Sequence, residues 1–248
     1  MNDSGVSELL GYAIIIGMVA IAVICVTTGA AGAIYSSAER IGYSEAKASI
    51  SSFAAIAVET ARANNTCYVA YELQLPPGYE LLAMDMRDDI ARIGVKLGEE
   101  EMPAIRVGSL RLQSPFRSVS FEGGAVVSND SGIVDMVRKP SIFFASHDGR
   151  KELYVCLVGI TADTGSITPG PHAVLQIRVA SQRTESRSVP VPSDAVISIS
   201  TRDPEGWATL LENAGFTVTI GGNTVVASAG GVTDIHVTSA TVQVRPGS

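Results

Sequence analysis

From Leu9 to Ala38 the chain carries 30 consecutive residues without a charged side chain. An apolar helix of ~20 residues crosses a hydrocarbon core of ~30 Å, so this run is long enough to span a membrane. The helical pattern continues past it. Beyond Tyr35 the sequence is Ala-rich and free of Pro as far as Arg62, and Ile50, Phe53, Ala54, Ala57 and Val58 recur at helical spacing. That spacing makes one apolar face. Asn64-Asn65 ends it. A helix from about Leu9 to Arg62 is ~81 Å long at ~1.5 Å per residue, so its second half leaves the bilayer and packs on something else.

From Cys67 the period changes to two. Cys67–Leu73 has β-type residues and stops at the turn Pro76-Pro77-Gly78. Arg92–Leu97 and Ala104–Val107 alternate around Gly98-Glu99-Glu100-Glu101, a hairpin with one wet face. Further strands are expected at 118–121, 125–127, 141–145, 152–160, 172–180, 195–200, 216–220, 224–227, 234–237 and 241–244. Many short strands with Gly-rich turns predict a sandwich or barrel-like head. One short helix interrupts them: Asp203 as N-cap, Pro204 at the first position, Trp207, Leu210 and Leu211 on one face, and Gly215 at the end. Trp207 is expected to anchor a core. The predicted fold class is α+β, a long N-terminal hydrophobic helix followed by a mainly antiparallel β head.

Composition narrows the class. The 248 residues carry a net charge of −7, with 17% charged and 6% aromatic side chains. Low charge with abundant Ala, Val, Ser, Thr and Gly suits an extracytoplasmic domain, and without a basic stripe nucleic acid is not an expected partner. A removable secretory signal would need a basic n-region and a shorter apolar run; residues 1–8 hold no Lys or Arg.

Candidate chemistry is sparse. His147, His172 and His236 are isolated, and no metalloprotease, nucleophile-elbow or P-loop motif occurs. Asp85, Asp88 and Asp89 offer oxygen ligands for Ca²⁺ but lack the spacing of a binding loop. No catalytic residue, metal or cofactor is expected. Cys67 and Cys156 are a candidate disulfide of the soluble part, with two buried thiols as the alternative; Cys25 lies in the apolar run. Asn64 and Asn129 open Asn-x-Ser/Thr triplets, candidate glycosylation sites. Small residues dot the apolar helix at Gly11, Gly17, Gly29, Gly32 and Ala33, where helices could approach closely.

The segment Gly5-Val6-Ser7-Glu8-Leu9-Leu10-Gly11-Tyr12, followed by the apolar helix, resembles archaeal type IV pilin-like proteins with a class III signal peptide. Phe121-Glu122-Gly123-Gly124-Ala125-Val126 is similar to a Tyr-x-Gly-Gly turn in archaeal membrane-anchored proteins of that kind. The order of the later strands and the Trp-bearing helix is similar as well. The resemblance implies a leader at 1–5 cut between Gly5 and Val6 by a prepilin-type peptidase, a filament-core helix at 6–62 and an extracytoplasmic head at 63–248. It also implies storage in the membrane, then assembly by dedicated machinery into a homo-oligomeric helical filament at the cell surface. Glu8 would be favoured by the helix dipole, and in the filament it would face the Val6 amine of a neighbouring subunit. The alternatives are a monomeric membrane-anchored adhesion module and a minor pilin at a filament end.

Overall fold

The computed structural model describes residues 3–84, 91–162 and 172–247, with side chains from residue 15 onward. Asp85, Asp88 and Asp89 therefore lie outside the described residues. The chain divides into two compact units, Met1–Gly42 and Tyr43–Ser248.

Helix α1 runs from Asp3 to Arg62. In the first unit every described side chain from Ile15 to Ile41 is exposed. Three hydroxyls in this stretch are satisfied within the helix. Thr27 and Thr28 donate their hydroxyls one turn back to Val23 O and Ile24 O at 2.9 and 2.8 Å, and Ser36 donates to Ala33 O at 3.0 Å. Such back-bonding lets hydroxyls sit among apolar neighbours without an unmet donor.

The second unit holds the last turns of α1, two sheets and a short helix. Numbered in chain order, the larger sheet runs β10 (Ser141–His147), β11 (Arg150–Ala162), β14 (Thr224–Pro246), β12 (His172–Ser200), β3 (Arg92–Leu97), β4 (Glu100–Glu101). On its flanks β1 (Val69–Gln74) pairs with β12, β13 (Thr217–Gly221) with β14 and β5 (Ile105–Arg106) with β3. The smaller sheet is a meander of β2 (Glu80–Met84), β6 (Ser109–Gln113), β7 (Arg117–Glu122), β8 (Ala125–Asp130) and β9 (Ile133–Arg138). All of these pairs are antiparallel except β11 with β14. The class is α+β, a long helix followed by a mostly antiparallel β domain with one short helix.

Two strands are far longer than expected. The runs 172–180 and 195–200 are the ends of the 29-residue β12, and the three runs from 224 to 244 merge into β14. Between them β12 carries polar residues and Pro190 and Pro192. Its register against β14 shifts between Ser188 and Ser193 and again before Ala195, the kind of irregularity where a residue without an N–H is accommodated.

These long strands serve two cores. Leu153, Val155 and Leu157 of β11 and Ile235 and Val237 of β14 enter one core with Trp207. Further along, Val158, Ile160, Ala240, Val242 and Val244 enter the other with Phe121. Because alternate residues point to opposite faces, the change of parity puts the cores on opposite faces of the same strands. The second core receives α1 through Ala46, Ile50, Phe53, Ala54, Ala57 and Ala61, all buried. Phe53 meets Phe121 edge-on at 5.5 Å and Tyr71 at 6.0 Å. The compact unit that holds the head begins at Tyr43, and the apolar face expected from Ile50 onward packs in its core.

Helix α2, Pro204–Asn213, follows Asp203 and buries Trp207, Leu210 and Leu211. Gly215, with φ +95°, closes it. The Phe216 N–H donates to Leu211 O and the Gly215 N–H to Glu212 O, both at 3.0 Å, a Schellman ending that needs a left-handed residue.

Candidate functional sites

The first candidate is the apolar helix itself. From Ile15 to Arg62 it is long and apolar enough to cross a membrane, and none of its most apolar window is buried within the chain. Ile16, Met18 and Val26 are each more than 65% exposed. Gly17, Gly29 and Gly32 have open space where a side chain would stand. At ~100° per residue, Gly29 and Ala33 lie within ~40° of each other and Gly32 ~60° to one side, whereas Gly17 lies ~120° round from Gly29. The small residues are therefore a local cluster at 29–33 plus a separate notch. Gly5, Val6, Glu8 and Gly11 fall within α1, and their side chains lie outside the described ones.

The candidate disulfide is corrected by the sheet order: Cys67 and Cys156 are free, exposed thiols. Cys67 lies two residues before β1, and β12 and β14 stand between β1 and the strand of Cys156. Three strand spacings amount to ~14 Å, against ~4.4–6.8 Å between the Cα atoms of a bridge. The two sequons also differ. Asn64 is exposed at φ +46° just past α1. Asn129 is half-buried and committed: its Nδ2 donates to Asp203 Oδ1 at 3.1 Å and its Oδ1 accepts the Gly132 N–H at 2.9 Å.

That Asp203 contact opens onto a cluster that sequence reasoning missed. Arg111, Ser118, Ser120 and Glu122 alternate on the face of the smaller sheet away from α1. Ser109 and Glu122, Arg111 and Ser120, and Gln113 and Ser118 are register partners. Asp203, expected as an N-cap, makes no side-chain cap bond; its carboxylate instead pairs with Arg111 at 3.6 Å. Glu122 is 5% exposed and accepts the Thr201 hydroxyl at 3.3 Å. Burial pushes its carboxyl up to about 7, against the pull of the Thr201 hydroxyl. Glu122 Oε1 and Trp207 Nε1 have no partner at hydrogen-bonding geometry, although the indole N–H still acts weakly on the carboxyl. The Gly123-Gly124 turn between β7 and β8 has φ +61° and +94°, the all-positive pattern of a two-residue hairpin. It is buried, and a Cβ on Gly123 would stand 3.3 Å from Ile93 and 3.4 Å from the Trp207 ring. Gly123 is thus a packing requirement under the tryptophan.

Four residues far apart in the sequence do converge. Ser186, His236, Tyr154 and Phe143 form one rung across β12, β14, β11 and β10. Ser186 Oγ lies 2.9 Å from His236 Nδ1, and His236 Nε2 lies 3.7 Å from Glu152 Oε2, which accepts the Tyr154 hydroxyl at 2.6 Å. The rings stack, Phe143 on Tyr154 at 5.2 Å and Tyr154 on His236 at 4.7 Å. All four residues sit mid-strand, where neighbouring backbone N–H groups belong to the ladder rather than to a developing oxyanion. The rung is a cross-strand stack.

Helix, two-sheet head, buried Gly-Gly turn and Trp-bearing helix are all contained in one family match. Residues 5–245 match a family of unknown function (DUF7289), and the chain belongs to that family. No curated protein and no solved structure matches the chain.

Proposed function

We propose that this chain is a structural subunit of a type IV pilus-like surface filament, held in a membrane before assembly and polymerised through α1. The observation that carries the reading is the contrast along one helix. Residues 15–41 present apolar side chains with nothing over them, while Ala46, Ile50, Phe53, Ala54, Ala57 and Ala61 are already buried in the head. An apolar surface of that extent needs a cover: lipid in the stored subunit, neighbouring helices in the filament. The cluster Gly29, Gly32 and Ala33 supplies close approach, and the resemblance at Gly5–Tyr12 supplies a leader cut before Val6. A second reading, a monomeric membrane-anchored adhesion module, is favoured by the position of Gly17 off the Gly29 face.

The deciding experiment is mass spectrometry of material sheared from the cell surface and pelleted. An amino-terminal peptide starting at Val6 in a filament-bearing pellet supports the subunit. Intact Met1, with the chain confined to membranes, supports the anchored module.

A further inference from the structure

We propose that the head carries a binding cavity for a small organic anion, a carboxylate or phosphate monoester with an apolar body, walled by Arg62, Arg138 and Lys139. The cavity, about 290 Å³, lies where α1 ends against the larger sheet. Its floor follows two rungs of the register that share one face of the sheet. Ser141, Cys156 and Thr238 form one, and Val158, Ala240 and Gln182 the next. Val58, Ala61 and Pro140 add apolar walls.

The charge balance is one-sided. The protein carries a net −7, yet among the described residues this cavity is lined by three cations and no carboxylate. Three other arginines of the head are paired with carboxylates: Arg111 with Asp203, Arg117 with Asp130 and Arg150 with Asp234. Arg62, Arg138 and Lys139 have no such partner among the described residues. Nor does the helix end occupy Arg62, because its last carbonyls are capped by the chain: Glu59 O, Ala61 O and Thr60 O accept the N–H groups of Ala63, Asn64 and Asn65. Three like charges around one concavity repel one another, and an anion between them relieves that repulsion through charge-assisted bonds. The hydroxyls of Ser141 and Thr238 and the Gln182 amide offer further donors. The apolar walls of Val58, Ala61 and Pro140, with Val158 and Ala240 beneath, select an anion with a hydrocarbon portion over a bare ion. Burial raises the proton affinity of the Cys156 thiol against the opposing charge of Arg62, so the thiol is neutral at pH 7 and does not repel the ligand.

Cys156 reports on occupancy, with Cys67 outside the cavity as a reference in the same molecule. In the full chain in detergent, alkylation of both thiols by iodoacetamide is timed by peptide mass spectrometry. Millimolar phenyl phosphate or benzoate is expected to slow Cys156 several-fold and leave Cys67 unchanged, with the stronger of the two identifying the anionic group. Inorganic phosphate is expected to protect less. The paired substitution Arg138→Gln and Lys139→Gln is expected to abolish protection while both unprotected rates stay at wild-type values, which also verifies the fold. The proposal is overturned if neither organic anion slows Cys156, if Cys67 slows equally, or if protection survives the paired substitution. Equal protection by inorganic phosphate overturns the organic-anion assignment.

Discussion

Thr201 donates its hydroxyl to Glu122 Oε2 at 3.3 Å, and the other carboxyl oxygen, Oε1, is buried without a partner. A carboxyl so placed prefers its proton, and burial lifts its pKa from the ordinary 4.5 to about 7. The folded chain therefore holds a proton between those two values that the unfolded chain has released. Stability from this group is full below about pH 4.5 and is lost as pH rises to about 7. Glu122→Gln should remove that slope and gain roughly 3 kcal/mol at pH 8, at about 1.4 kcal/mol per pKa unit. Urea unfolding followed by Trp207 fluorescence at pH 5 and pH 8 checks it. Equal shifts at both values would show that the carboxyl is not the titrating group.

The acid limb belongs to other residues. Asp130 is held low chiefly by its bond to Arg117, and Asp234 chiefly by its bond to Ser188, with Thr233 and Arg150 assisting. Their contribution is present above the ordinary aspartate range and disappears on acidification. Arg117→Gln should flatten the wild-type loss of stability below pH 4 without altering the Glu122 slope, as read from the same unfolding series.

Phe53 ties α1 to the second core. Replacing it by Ala should cost about 3–5 kcal/mol, the range for deleting a fully buried ring, and denaturant midpoints of the full chain in detergent measure it. A cost below 1 kcal/mol would mean that α1 is not docked through this ring.

At Gly123 a side chain meets both a left-handed backbone and the Trp207 ring. Gly123→Ala should destabilise by roughly 1–3 kcal/mol and shift the indole emission. Gly132→Ala, also at a positive φ but with open space around it, should leave the emission unchanged.

For assembly, Gly29→Leu with Gly32→Leu should abolish filaments while the head keeps its unfolding midpoint, and Gly17→Leu should do less because it faces elsewhere. Negative-stain imaging of sheared material gives the readout. Normal filaments from the paired variant would end the case for packing through this cluster.

Much of this architecture was legible. Helix α1, β3 and the Trp-bearing α2 announce themselves by period and by punctuation at Asn64, Gly98 and Gly215. The strands β2, β6 and β9 did not, because Leu81–Ala83 and Leu110–Leu112 are too short to establish a period and β9 alternates only weakly. Strands β12 and β14 read as fragments: the middle of β12 stands at the surface as a polar, Pro-bearing ribbon, and β14 is interrupted by the exposed Gly230-Gly231 pair. The Glu122 cluster was invisible for a different reason. Its members come from β6, β7 and the approach to α2, and only the packing of that approach against the smaller sheet brings Arg111 beside Asp203. The Cys67–Cys156 bridge failed on the same ground: sequence counts thiols but does not say how many strands separate them.

The parity change in β11 and β14 carries one more consequence. Since the ladder that supports Trp207 is the same one that supports Phe53, no line drawn between the two halves of the head spares it. Heat or tension that parts either half withdraws backbone partners from the other. The head has no internal breakpoint, and it should give way all at once or not at all.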